Sequence, residues 1–135
     1  MADTYRARVL LADDRASTIN RWRALLEPQF EVVGEVSDGE SLVQAAERLK
    51  PDVVVTDIAI PALGGVAAAE AIKRQRPQTR IVFTTTKADR TMLRKSLAAG
   101  ASAYVLEPRD GEDLAPAVRA ALRGELMISP FEDDQ

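Results

Sequence analysis

Neither cysteine nor histidine occurs among the 135 residues of the chain. Without cysteine there can be no disulfide, thiolate nucleophile or cysteine metal site. Without histidine, a Ser-His-Asp triad, a zinc-histidine site and an internal phosphohistidine are excluded as well. Aromatic residues make up only 4% of the chain, so Val, Leu, Ile and Ala must fill most of the interior.

The chain also lacks a large excess of charge and any long apolar run. Its 18 basic and 21 acidic residues are mixed along the sequence and give a formal net charge of -3. No basic stripe stands out, which argues against direct nucleic-acid binding by this segment. The apolar runs are too short to cross a bilayer and the polar start does not resemble a signal peptide. We therefore expect a cytoplasmic protein without a membrane partner.

Short β-rich runs alternate with longer helical patterns. The candidate strands are residues 8–12, 30–36, 52–56, 80–84 and 103–106. Three of these runs are continuously apolar, as parallel strands covered by helices on both faces require. The second run is interrupted by Glu31, Gly34 and Glu35, which is typical of an edge strand. Five strands alternating with five helices predict one α/β domain with a doubly wound parallel sheet.

Several helix ends are marked in the sequence. Asp38 is a candidate N-cap for the second helical pattern, and Gly100 is a candidate C-cap for the fourth. Pro116 falls inside the last pattern, where it would delete a backbone hydrogen bond. We therefore expect that helix to begin late or with a local distortion, with Asp113 as its effective cap.

Polar residues follow the carboxyl ends of the predicted strands, where ligands of open α/β sheets bind. The residues in these positions are Asp13 and Asp14, Asp57, Thr84-Thr85-Thr86, and Glu107-Pro108. Hard carboxylate oxygens suit Mg²⁺, which binds through one or two carboxylates together with phosphate oxygens. Taken singly, each of these residues is more simply explained as a helix cap, turn residue or surface charge.

Four motifs in order resemble a bacterial response-regulator receiver domain, most closely the NarL/LuxR subfamily. They are Val9-Leu10-Leu11-Ala12-Asp13-Asp14, Pro51-Asp52-Val53-Val54-Val55-Thr56-Asp57, Pro61-Ala62-Leu63-Gly64-Gly65 and Ala99-Gly100-Ala101-Ser102-Ala103-Tyr104-Val105-Leu106. The resemblance implies a flavodoxin-like fold with five helices and strand order 2-1-3-4-5. It places a receiver domain at residues 1–130, followed by a short acidic tail or linker start at 131–135.

The same resemblance implies roles for individual residues. Asp57 would be the phosphoacceptor, charged by a partner histidine kinase or phosphotransfer protein. Asp14 would bind Mg²⁺ directly and Asp13 through water, with Asp57 and the backbone carbonyl of Ala59 also on the metal. Thr85 would be the switch hydroxyl that hydrogen-bonds the phosphoryl group, and Tyr104 the aromatic that changes rotamer with it. The face formed by the fourth helix, fifth strand and fifth helix would then bind partners or a second copy.

Glu107 is the main departure from the family pattern, because a lysine that contacts the phosphoryl group is expected there. At about 4 Å and an effective dielectric of about 20, a unit charge pair is worth at most about 4 kcal/mol. The substitution reverses the sign of that interaction and makes the phosphorylated state harder to form. A milder departure is Ile60 in place of methionine, a packing change. The isomer of the Glu107-Pro108 bond is left open, although trans is the commoner form.

Two functional hypotheses follow. The first is a signalling receiver, not an enzyme beyond self-phosphorylation and self-dephosphorylation, that regulates transcription through a domain absent from this chain. The second is an interaction module that keeps the fold but works without phosphorylation, and Glu107 is its main support. An aspartate-nucleophile hydrolase needs an acid where Ala59 stands, and no G-x-G-x-x-G follows the first strand. Whether the chain is a stand-alone receiver or part of a longer regulator stays open.

Overall fold

The computed structural model describes residues 5–87 and 89–131, which form one parallel sheet with helices on both faces. The strands are β1 (Arg8–Ala12), β2 (Glu31–Val36), β3 (Val53–Asp57), β4 (Arg80–Thr85), β5 (Ala103–Leu106) and β6 (Met127–Ile128). The helices are α1 (Ala16–Leu26), α2 (Gly39–Leu49), α3 (Gly65–Gln75), α4 (Arg90–Ala98) and α5 (Asp110–Leu122). A 3₁₀ turn, Glu107–Arg109, joins β5 to α5.

The strand order β2-β1-β3-β4-β5-β6 confirms the predicted doubly wound, flavodoxin-like α/β fold and adds one short strand. The interrupted strand β2 lies at one edge, as its polar residues indicated. The other edge is β6, where the Ser129 N–H donates to the carbonyl of Tyr104 at 2.9 Å. A strand of two residues carries no periodic signal, so the sequence alone did not reveal it.

The core lies in two layers, one on each face of the sheet. Alternate residues of β1 and β3 face opposite sides, with Val9 and Val53 in one layer and Leu10 in the other. Trp22 of α1 and Leu114 of α5 complete the first layer, and both are fully buried. The second layer joins α2 and α3 to the sheet and contains Phe83 and Tyr104. This covering on both faces explains the unbroken apolar runs in the sequence.

Two predicted helix ends are confirmed. The Asp38 carboxylate accepts a hydrogen bond from the N–H of Ser41 at 2.7 Å and so caps α2. Gly100 follows the last turn of α4 with a φ of 97°, in the left-handed region that favours glycine. The Gly100 N–H donates to the carbonyl of Leu97, which closes the helix.

Of the two starts predicted for α5, the late one with Asp113 as its cap is wrong. The helix begins at Asp110, directly after the 3₁₀ turn, and Pro116 lies inside it. The backbone bond that Pro116 removes would have joined it to the carbonyl of Glu112, an exposed residue. The Asp113 side chain does not cap the helix, because it accepts hydrogen bonds from Arg109 and Ser129 instead. The Glu107-Pro108 peptide bond is trans.

Membrane-spanning helices are not found among residues 5–87 and 89–131. Each helix there is too short or too polar to cross a bilayer.

Candidate functional site

Three buried carboxylates meet at the carboxyl edge of the sheet. Asp13 follows β1, Asp57 ends β3, and Glu107 follows β5. Each has a carboxylate oxygen within 4.8 Å of the others, and their exposed fractions are 2%, 8% and 8%. Parallel strands bring these residues together although they are far apart along the chain. Such close like charges oppose one another unless a cation lies between them.

That cation is the guanidinium of Arg15. Its Nη2 lies 3.0 Å from Asp13 Oδ2, 2.8 Å from Glu107 Oε2 and 3.5 Å from Asp57 Oδ2. Its Nε and its backbone N–H both donate to Asp13 Oδ1, at 3.1 and 2.8 Å. Arginine suits this position because its planar fork can bind several carboxylates at once.

Asp57 combines a buried position with one well-held oxygen. Its Oδ1 accepts a hydrogen bond from the backbone N–H of Ala59 at 3.2 Å, while Oδ2 faces Arg15. Burial raises the pKa of this carboxyl, and the charges of Asp13 and Glu107 raise it further. The Ala59 N–H and the Arg15 charge oppose that rise in pKa. Additional positive charge at the site would therefore favour the ionised, nucleophilic carboxylate.

The loop after Asp57 packs tightly against the sheet. The Ile58 N–H donates to the carbonyl of Thr84, and the Gly65 N–H donates to the carbonyl of Ile58. A Cβ placed on Gly65 would lie 2.8 Å from the Asp57 carbonyl oxygen and 2.9 Å from the Ile58 Cα. Glycine is therefore required at position 65, because any side chain would push α3 away from the strand that carries Asp57.

The remaining predicted site residues occupy different positions around this cluster. Asp14 and Ala59 are exposed at the same edge, and Asp14 does not belong to the group of three close carboxylates. Thr85 ends β4, where its hydroxyl donates to the carbonyl of Lys87 at 3.1 Å. The metal-binding and switch roles of these residues stay predictions.

Tyr104 is fully buried and packs against Phe131, the last residue that the structure describes. Its ring lies 6.2 Å from that of Phe131, at an angle of 53°. Burial raises the pKa of the Tyr104 phenol. The Asp89 backbone and the Thr85 side chain oppose that rise in pKa. The ring therefore occupies an inward position, covered by the residues that follow β6.

Sequence reasoning missed a second layer of charged residues behind Glu107. Arg21 lies 3.7 Å from Glu107 Oε1 and also donates to Asp110 at 2.7 Å. Asp110 accepts in addition from the indole N–H of Trp22 at 3.2 Å. The only available signal for Arg15 was a basic residue directly after an acidic pair. Its long-range partner Glu107 cannot be read from local sequence.

Comparison with known proteins gives the same family throughout. The family model "Response regulator receiver domain" matches residues 9–119. The transcriptional regulatory protein YxjL of Bacillus subtilis is 36% identical over 123 residues, covering 90% of this chain and 56% of that protein. The chain thus spans about half the length of the curated relatives it matches.

Two solved structures extend the likeness. One is a LuxR-family two-component response regulator from Aurantimonas, with TM-score 0.88, 32% identity and coverage of 93% and 91% of the two chains. The other is the isolated receiver domain of RcsB from Salmonella enterica in the presence of the phosphomimetic BeF₃⁻ (TM-score 0.84, 26% identity, coverage of 93% and 94%). The arrangement of the sheet, the acidic edge and the family match agree, and the chain belongs to the response regulator receiver domain family.

Proposed function

We propose that the chain is a receiver whose Asp57 accepts a phosphoryl group from a histidine kinase or phosphotransfer protein. The observation that carries this proposal is the environment of Asp57. One of its oxygens accepts a hydrogen bond from a backbone N–H, and the other faces the Arg15 guanidinium. A carboxylate with one fixed and one directed oxygen is oriented for nucleophilic attack.

The reaction is a transfer between two nucleophiles. A carboxylate oxygen of Asp57 forms a bond to the phosphorus of the donor while the bond between phosphorus and the donor's histidine nitrogen breaks. The nitrogen keeps the electron pair of the broken bond and takes up a proton from water. The product on this chain is an acyl phosphate, with no net oxidation or reduction. A receiver of this kind is a signalling domain, not an enzyme in the ordinary sense.

The residues at this edge fit Mg²⁺, because all the side chains available there as ligands are oxygen donors. The carboxylates of Asp13, Asp14 and Asp57 and the backbone carbonyl of Ala59 would hold the ion. Bound there, Mg²⁺ supplies positive charge that offsets the negative charge on Asp57 and on the incoming phosphoryl oxygens. The raised pKa of Asp57, caused by burial and by neighbouring carboxylates, is consistent with a site that needs such a cation.

The output would be a change in the surface formed by α4, β5 and α5. Thr85 would turn towards the phosphoryl group and Tyr104 would adjust its rotamer, which biases this surface between two states. A partner or a second copy of the chain would then bind there. The matched segments cover 56% and 57% of two relatives that are named as transcriptional regulatory proteins, which supports a role in transcription through a further domain. Within that arrangement, residues 1–130 would form the receiver and 131–135 a short acidic tail or the start of a linker. Residues 1–4, 88 and 132–135 lie outside the described part of the chain.

One observation favours a second candidate, a receiver fold that works by binding alone. Glu107 is a buried carboxylate inside the cluster and adds negative charge where a phosphoryl group would have to enter. In that case the fold and the docking surface would be retained, while Asp57 would stay unmodified.

Phosphorylation by acetyl phosphate, read by mobility shift in a phosphate-affinity gel, separates the two functions. A Mg²⁺-dependent shift in the wild-type chain that is lost in Asp57→Asn supports the phosphoacceptor. A shift that appears only in Glu107→Lys would mean that this glutamate has silenced the site. Circular dichroism of each variant checks that it is folded.

A further inference from the structure

Glu107 and Arg15 together change how charge is distributed around Asp57. The family resemblance implies a lysine at position 107, so glutamate there would replace one positive charge with one negative charge. Yet Glu107 does not face Asp57 unaccompanied, because Arg15 Nη2 lies 2.8 Å from Glu107 and 3.5 Å from Asp57. A cation is thus present beside the phosphoacceptor, on the loop after β1 instead of at the end of β5.

We infer that Arg15 replaces the missing lysine and contacts the phosphoryl group when it is on Asp57. The inference rests on the proposed phosphoacceptor function. Asp13 and Glu107 both anchor the Arg15 guanidinium at the side of Asp57. The arginine and the glutamate therefore work as a pair.

The geometry supports a contact with the phosphoryl group. Asp57 Oδ1 is engaged by the Ala59 N–H, so Oδ2 is the oxygen that points towards Arg15. The distance of 3.5 Å between Oδ2 and Nη2 is longer than those to Asp13 and Glu107. The guanidinium is therefore held chiefly by its two anchors. Nε and Nη2 of Arg15 donate to Asp13 and Glu107, which leaves the two N–H groups of Nη1 for phosphoryl oxygens, the acceptors that arginine suits.

The side chain of Arg15 is also open to solvent. It is 41% exposed, whereas the side chains of Asp13 and Glu107 are 0% and 8% exposed. The anchors are fixed within the protein, and the arginine extends from them towards solvent. An incoming phosphoryl group could therefore meet the guanidinium without any movement of the sheet. Arg15 also weakens the repulsion between Glu107 and the phosphoryl group, because its positive charge is paired with the Glu107 carboxylate.

The same contacts allow an opposite role, in which Arg15 merely fills the site and keeps cations and phosphoryl groups out. The two roles predict opposite signs for one measurement. If Arg15 binds the phosphoryl group, its removal weakens binding of a phosphoryl analogue. If Arg15 only occludes the site, its removal strengthens that binding.

Binding of beryllofluoride at saturating Mg²⁺, followed by ¹⁹F NMR, tests this inference. The variants are Arg15→Gln, Glu107→Lys and the double variant Arg15→Gln/Glu107→Lys. We expect Arg15→Gln to weaken beryllofluoride binding about tenfold to a hundredfold, the usual effect of losing a hydrogen bond to a charged group. The double variant should recover most of that loss, because it restores one cation at the position of the family lysine.

Mg²⁺ affinity in the absence of beryllofluoride, measured by calorimetry, gives a second readout. Arg15→Gln should bind Mg²⁺ at least as tightly as the wild type, because a cation has been removed from the carboxylates. If Arg15→Gln loses affinity for beryllofluoride but not for Mg²⁺, Arg15 acts on the phosphoryl group and not on the metal. If Arg15→Gln instead loses Mg²⁺ affinity in step with beryllofluoride affinity, the inference is wrong.

Arg21→Gln is the matched control. Arg21 has a similar exposed fraction, 44%, and lies near Glu107, but its main partner is Asp110. It should change beryllofluoride binding less than about twofold, as expected for a partly exposed charge whose contact with Glu107 is long.

Three further results would overturn the inference. One is unchanged or tighter beryllofluoride binding by Arg15→Gln, and another is a loss that the double variant does not recover. The third is a wild type that binds no beryllofluoride while the double variant does, since Arg15 would then not have replaced the lysine. Absence of binding in every variant would instead remove the phosphoacceptor function itself, and the inference with it.

Discussion

At the scale of single residues, the site depends on side chains whose neighbours come from distant parts of the chain. Asp13 and Asp57 were predictable because polar residues at the ends of apolar parallel strands must share one edge of the sheet. Arg15 was not predictable in the same way. It contacts Glu107, which is 92 positions away, and the choice of that partner depends on the packing of the loops. The carboxylates can be predicted from local sequence, but the cation between them cannot.

Gly65→Ala should destabilise the chain by about 1–3 kcal/mol, because the new methyl group meets backbone atoms that cannot move aside. The added Cβ would lie 2.8 Å from the Asp57 carbonyl oxygen, so the position of Asp57 should be disturbed as well. Urea denaturation measures the loss, and the rate of phosphorylation by acetyl phosphate reports on Asp57.

Gly111→Ala is the matched control, since nothing lies within 4 Å of a Cβ at that position. It lies in α5, where alanine should be neutral or stabilise by about 0.5–1 kcal/mol. If both variants change the free energy of unfolding by the same amount, Gly65 does not approach the strand as closely as described.

At the scale of elements, the end of the described chain is joined to α5 by a buried polar contact. The Ser129 hydroxyl donates to Asp113 at 2.7 Å and accepts from the backbone N–H of Leu106 at 3.1 Å. Asp113 also pairs with Arg109 at 2.8 Å, one turn earlier. The sequence suggested Asp113 as a helix cap because Pro116 seemed to require a late start. The actual partners of Asp113 are Arg109, in the 3₁₀ turn before α5, and Ser129, which follows the short strand β6.

Asp113→Asn should lower the free energy of unfolding by about 1–3 kcal/mol at neutral pH, because buried donors lose their charged acceptor. The hydrogen bond from Arg109, and then that from Ser129, hold the pKa of Asp113 below its usual value of 3.8. A lowered folded-state pKa stabilises the fold above the unfolded-state value, and this contribution is lost as pH falls through the folded-state pKa. The difference between variant and wild type should thus persist from neutral pH to about 4 and shrink below it.

Urea denaturation across that pH range measures the difference, with Glu112→Gln as the control. Glu112 also pairs with Arg109, at 3.4 Å, but its side chain is 74% exposed. Its substitution should cost less than about 1 kcal/mol. If the difference in free energy of unfolding between Asp113→Asn and wild type grows below pH 4, the contacts assigned to Asp113 are wrong.

At the scale of the whole molecule, the fold followed from the sequence to a large extent. Continuous apolar strands, the Asp38 cap and the Gly100 end were all readable, because each depends on local geometry or on burial from both faces. Strand β6 and the packing of Phe131 on Tyr104 could not be predicted from the sequence. Both depend on how the last described segment packs against the β5 edge of the sheet.

Phe131→Ala should reduce the free energy of unfolding by about 1–2 kcal/mol, less than for a fully buried phenylalanine because Phe131 is only partly buried. It should also expose the ring of Tyr104, which near-ultraviolet circular dichroism can follow. Phe131→Leu keeps an apolar side chain over Tyr104, so its free energy of unfolding should fall by less than half as much. If both variants match the wild type, the chain end does not cover Tyr104.

The most direct test of the central claim is to locate the phosphoryl group by chemistry. Reduction of an acyl phosphate with borohydride converts the modified aspartate into homoserine, which mass spectrometry of the peptides then assigns to one residue. After treatment with acetyl phosphate and Mg²⁺, we expect homoserine at position 57 and unmodified Asp13, Asp14 and Glu107. Reduction at another carboxylate, or none at all in a folded wild-type chain, would contradict the assignment of Asp57 as the phosphoacceptor.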